Sequence, residues 1–165
     1  MIESLIRASR QPEYIHVLLN PLPIYGLALG LIGLLIALFL RSRPAQIATL
    51  AIVLISAASA WPVYEFGEQG YDRVLSMADD DGQAWLEAHQ QRGERFIYFF
   101  YALAVVSALA IALPIKFPNF SLTLTLVTLL FGLIVLGMGG YVAYAGGKIR
   151  HREFRTEAPP PRKER

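Results

Sequence analysis

The chain has no cysteine. That absence excludes disulfides, thiolate metal sites, iron–sulfur clusters and cysteine nucleophiles. Histidine is scarce, with only His16, His89 and His151 among 165 residues. There is no HExxH motif and no pair of ExxH motifs, the spacings that place metal ligands on one helix face. Nothing resembles a nucleophile elbow, and no glycine-rich loop suits a phosphate. Charge is also missing from long stretches. Four apolar runs contain no Asp, Glu, Lys, Arg or His, which disfavours a transporter or channel working through intramembrane charges. Broken midplane helices are not evident either. Residues 1–14 lack a basic stretch leading into an apolar core and a cleavage site, so the first run is expected to stay in the mature chain.

What is present is apolar. The composition is 55% hydrophobic and the mean hydropathy is +0.43, well above a soluble domain's balance. The runs predict crossings at about 21–40, 45–64, 96–115 and 120–145, each near the ~20 helical residues that span a bilayer. Backbone groups in lipid must pair within their own segment, so helices are expected rather than open strands. Connections of about four residues join the first crossing to the second and the third to the fourth. The fold class is therefore an all-α polytopic membrane protein, a four-transmembrane-helix bundle of two antiparallel hairpins. One transmembrane domain covers 1–147, and 148–165 reads as a basic disordered tail. Pro44 opens the second run; Pro114 and the Gly146–Gly147 pair read as closing the third and fourth.

Four crossings place both termini and the long connection 65–95 on one face. All 13 acidic residues lie on that face, and only Arg41, Arg43 and Lys116 mark the other. Most of the Lys and Arg, including "KIRHREFR", are thus on the heavily charged face, which favours cytoplasmic termini in a cell inner membrane. The long connection reads as two short helices interrupted at "DDDGQ", with Asp80 or Asp81 as N-cap of the second. An EF-hand is excluded there, because aligning Gly82 with the loop glycine leaves Met77 and Ala88 at the essential carboxylate positions.

Aromatics crowd toward the charged face, including "FIYFFY" at 96–101. An interfacial belt explains most of them, and a wall for a flat cofactor is the alternative. Small residues at Gly26, Gly30, Gly33, "SAASA" and Gly139 form stripes for close helix packing, or for homo-oligomers and partners in a membrane complex. Partners beyond the lipid bilayer are not specified, and nucleic-acid binding has no support outside the tail.

His16 and His89 are the candidate ligands. Each lies a few residues before its apolar run, so both project on the order of 10 Å beyond the hydrocarbon core on the same face. Facing imidazoles could ligate a haem iron. With Glu65, Glu68, Glu87 or Glu94 they would instead hold zinc or iron. His151 reads as a polar residue of the tail. Around His16, "IHVLLNPLPIYG" admits two readings. Asn20 caps a new helix with prolines in its first turn, or a helix begun near Pro12 is kinked at the prolines.

The stretch "IHVLLNPLPIYGLALGLIGLLIAL" resembles the first helix of a bacterial family of four-helix membrane proteins of unknown function. Its signature runs Ile-His-Pro-Leu-Leu-Val-His-Phe-Pro-Ile, matched here by Ile15, His16, Leu18, Leu19, Pro23 and Ile24. "LISAASAWPVYEF" and "WLEAHQQRGERF" match its second helix and its later histidine, so the likeness covers roughly the first 115 residues. That family is distantly similar to membrane b-type cytochromes, which implies haem b as the possible cofactor, bound through His16 and His89. The sequence departs from the signature at Val17 and Pro21, where relatives carry proline and a second histidine. From residues and resemblance together, the preferred expectation is a non-catalytic binding or accessory subunit of a larger membrane complex. The rival is a haem- or metal-binding redox protein.

Overall fold

The computed structural model describes residues 9–161. Among them every regular element is helical. The elements are α1 (Pro12–Leu19), α2 (Leu27–Phe39), α3 (Arg43–Ala58), α4 (Ala60–Met77), α5 (Asp80–Lys116) and α6 (Ser121–Arg150). They make four helices long and apolar enough to cross a membrane: Pro12–Phe39, Arg43–Met77, Asp80–Lys116 and Pro118–Arg150. The third has 37 residues, about 55 Å of helix against a hydrocarbon core of ~30 Å. The crossings therefore project well beyond the apolar runs, and that projection carries the histidines.

The two hairpins are as the sequence implies. α2 packs on α3, α5 on α6, and the hairpins join mainly through α3 and α5. Leu27, Leu31, Val53, Ala57, Phe100, Leu103 and Val135 form the central core. A Cβ on Gly30 would stand 2.9 Å from Val53, and one on Gly132 would stand 2.6 Å from Leu31. The small-residue stripes are thus used largely within the bundle, while Gly137 and Gly140 face open space.

The prolines explain the irregularities. In the first crossing the chain stays helical from Pro12 and widens into a π-helical turn over Leu22–Gly26. Asn20 is right-handed helical, and its N–H bonds His16 O. It is not an N-cap; the kinked-helix reading is the observed one, because a wider turn tolerates the missing proline N–H groups. α3 and α4 are separated only at Ser59, which keeps helical backbone angles and whose carbonyl still accepts from Val63 N at 3.2 Å. Pro62 sits just inside α4, and its ring opposes the Ala58 carbonyl.

Pro114 does not close the third crossing, since α5 runs on to Lys116. The carbonyl that Pro114 leaves without its helical partner is Ala110 O. Arg43 supplies the missing donor, its Nη2 bonding Ala110 O at 2.8 Å.

The connection 65–95 is not a loop. α4 continues to Met77, α5 begins at Asp80, and the break is confined to Ala78 and Asp79. The N-cap is Asp79 rather than Asp80 or Asp81, with Oδ1 accepting from Gly82 N at 2.9 Å. The last helix passes Gly146 and Gly147 and ends at Arg150, so the boundary drawn at 147 falls inside it. Beyond it, Arg155 folds back and donates to the carbonyls of Lys148 and Ile149, both at 2.8 Å. It also donates to Asp79 at 2.9 Å. One guanidinium thereby caps orphan carbonyls at the end of α6 and clamps them to the N-terminus of α5. The described part of the expected free tail is a docked segment.

Candidate functional site

His16 lies on α1 and His89 on α5. The fold brings their rings together, with centroids 6.1 Å apart and planes at 86°. Each ring is held the same way. His16 Nδ1 is 2.7 Å from Val63 O, and His89 Nδ1 is 2.9 Å from Val142 O. A carbonyl only accepts, so each Nδ1 carries the proton and each Nε2 keeps its lone pair. Metal-bound histidines are oriented in this manner, by a hydrogen bond from the other ring nitrogen.

Two glycines make this geometry accessible. A helical carbonyl is normally screened by the side chain four residues on. Here those positions are Gly67, four after Val63, and Gly146, four after Val142. A Cβ on Gly67 would lie 2.9 Å from His16 Nδ1, and one on Gly146 would lie 3.0 Å from His89 Nδ1. The absent side chains leave room for the rings.

The two half-sites are an internal repeat. His16 precedes Ile24 and Tyr25 at the spacing by which His89 precedes Ile97 and Tyr98. Buried Leu27, Gly30, Leu34 and Ala37 recur as buried Phe100, Leu103, Ser107 and Ala110, each 73 residues on. Along the partner helices, buried Gln46, Val53, Ser56, Ala60 and Gly70 recur 79 residues on as Thr125, Gly132, Val135, Gly139 and Ile149. The chain is two like hairpins side by side, with one histidine from each meeting between them.

The pair borders a cavity of about 570 Å³, a size that holds a cofactor. Phe96, Ile97, Phe100 and Ile24 give it apolar walls, while Gln90 and Arg150 stand among its polar lining. "FIYFFY" therefore divides. Phe96 and Phe100 line this cavity, whereas Tyr98 and Tyr101 line a separate notch.

Of the carboxylates proposed as co-ligands, Glu68 lines this cavity beside the histidines, and the other three do not. Glu68 accepts from Gln90 at 3.1 Å, Glu87 accepts from Gln91 at 3.0 Å, and Glu65 and Glu94 line the notch. Among the described residues no group of three or more His, Cys, Asp or Glu is placed to hold a metal ion. His151 stacks on Phe154 at 4.9 Å and pairs with Glu153, away from the site.

Two imidazole nitrogens fall short of the four positions that zinc fills. They suit an iron whose remaining ligands come from a porphyrin. Opposed rings, each bound through a nitrogen about 2 Å from one ion, have centroids roughly 6 Å apart, close to the spacing present. No protein-family model, curated protein or solved structure matches the chain.

Proposed function

We propose that this multi-pass membrane protein is a b-type haem protein in which His16 and His89 would hold the iron. The observation that carries the proposal is the matched pair of imidazoles, each with Nδ1 tied to a carbonyl and Nε2 left to bind. Bound haem supplies one-electron chemistry. The chain's own contribution is to fix both tautomers, to wall the macrocycle with Phe96, Phe100 and Ile24, and to hold the site near one membrane face.

This reverses the order reached from sequence alone, where an accessory subunit without catalysis came first. The two are compatible, because an electron carrier within a larger membrane complex makes and breaks no substrate bond. The resemblance of the His16 region to the four-helix family, and through it to membrane cytochromes, points the same way. We place the protein in a cell inner membrane with its termini, and so its haem, toward the cytoplasm; the basic residues following α6 favour that orientation.

The test is an absorption spectrum of protein made with haem supplied. A Soret band is expected, with reduced-minus-oxidised features of six-coordinate haem b. His16→Ala and His89→Ala should each abolish low-spin coordination, and free imidazole should partly restore it. A colourless wild-type protein under those conditions overturns the proposal.

A further inference from the structure

The seam between α4 and α5 carries a second concavity of about 480 Å³, sharing only Tyr64 and Ile97 with the histidine cavity. Its walls are the rings of Trp61, Tyr64, Tyr98 and Tyr101, and two carboxylates, Glu65 and Glu94, stand among them. No lysine or arginine lines it. Among the described residues the side chain of neither Glu65 nor Glu94 makes a hydrogen bond or an ion pair. The bundle's cation–π contacts all lie elsewhere, on Tyr141, Phe117, Trp85 and Tyr144.

The internal repeat shows that packing does not require this notch. On the matching seam, between α6 and the first crossing, Trp61, Tyr64 and Glu65 correspond to Gly140, Ala143 and Tyr144. Glu94 and Tyr101 correspond to Pro21 and Ala28, and only Ile97 and Tyr98 are kept, as Ile24 and Tyr25. The bundle therefore forms one seam without an aromatic box or carboxylates and builds both into the other.

Aromatic faces carry negative partial charge, and four rings with two carboxylates concentrate it in one concavity. An anion would be repelled, and a neutral guest would leave both carboxylates without a counter-charge. An ammonium group satisfies rings and carboxylates together. Trp61 and Tyr98 are mostly exposed, 60% and 70%, so the box is open at the outer surface, at the aromatic-belt depth where lipid head groups lie.

We propose that the notch of Trp61, Tyr64, Tyr98 and Tyr101 with Glu65 and Glu94 binds an organic ammonium cation. That cation is either the ammonium of a lipid head group or a free alkylammonium. The site stands independently of the haem reading and needs no cofactor.

The test is calorimetric titration of the full-length, delipidated protein in detergent with choline and with ethanolamine. Saturable binding of at least one is expected, and the uncharged carbon isostere of the binding cation should bind at least about tenfold more weakly. Isosteric replacement of both carboxylates, Glu65→Gln with Glu94→Gln, should also weaken binding about tenfold. The same titration in nanodiscs separates the sources. Weaker binding in phosphatidylethanolamine than in phosphatidylglycerol discs identifies a lipid head group as occupant; equal binding identifies a soluble cation. The proposal is overturned if neither cation binds saturably, if the uncharged isostere binds equally, or if the double variant binds as wild type does.

Discussion

Gly67 and Gly146 decide whether the histidines reach their carbonyls. Alanine is ordinarily the better helix former by about 1 kcal/mol. At these two positions its Cβ would meet an imidazole at 2.9–3.0 Å, and the ring must move off its acceptor. Gly67→Ala and Gly146→Ala should each lower haem affinity roughly tenfold, in line with other losses of ligand-orienting contacts, while helix content by circular dichroism stays unchanged. Gly137→Ala is the control, because nothing lies within 4 Å of its added Cβ. It should keep full haem content and match or slightly exceed wild-type thermal stability. Equal haem content in all three variants would show that the carbonyl bonds do not position the rings.

Within single helices, proline defects are repaired from neighbouring elements. Arg43 compensates Pro114 through Ala110 O, so the two residues should be energetically coupled. Arg43→Met leaves a carbonyl unpaired in a helix interior and should destabilise the bundle by about 1–3 kcal/mol. Pro114→Ala returns an N–H to the same carbonyl, and in that background most of the Arg43→Met cost should vanish. A double-mutant cycle on denaturant unfolding in detergent measures the coupling; additive effects would refute the compensation. The sequence offered both residues, but Arg43 read as a topology charge and Pro114 as a helix stop. Neither reading was available to link them, because a backbone acceptor has no residue-type signature.

The same limit governs the site. The four crossings were legible because lipid demands uninterrupted apolar runs. His16 and His89 were legible as a pair because their distances from those runs set a common depth. Val63 and Val142 were not, since they act through carbonyls, and Gly146 looked like a terminator although it is a gap for a ring. The internal repeat left a trace in the shared spacing of histidine to Ile-Tyr, a signal too short to stand out before the burial pattern was known.

Across helices, the Asp79–Arg155 clamp gives the charged face an acid-sensitive joint. Arg155 and the Gly82 N–H hold the Asp79 carboxyl well below the usual carboxylate range. With its folded value depressed, the clamp contributes fully above the unfolded value near 4 and is lost as pH falls below it toward the folded value. Tryptic cleavage after Arg155, whose side chain is only 10% exposed, should be slow at neutral pH and faster in Asp79→Asn. In that variant a chain pre-incubated in acid should show no further loosening of the segment, whereas wild type should loosen only below about pH 4. Unchanged cleavage in Asp79→Asn would mean that the segment is held instead by the ion pair of Lys148 Nζ with Glu157 Oε1, 2.8 Å apart.

For the molecule as a whole, the placement of charge makes one quantity decisive, the side of the membrane on which the histidine pair lies. Both rings and both described ends lie on the face that holds every described acidic residue, while Ser42 turns between helices on the other. The lack of native cysteine makes single reporters clean. Ser42→Cys adds one thiol at the half-buried turn before α3, and Phe154→Cys adds one at an exposed position on the opposite face. In intact cells with a permeable outer layer, an impermeant maleimide should label the Ser42→Cys protein at once. It should label the Phe154→Cys protein only after lysis, as cytoplasmic termini require. The opposite pattern would turn the histidine pair and the aromatic notch outward together, because the bundle carries both on one face. Either result fixes which compartment the histidine pair faces and which lipid leaflet meets the notch.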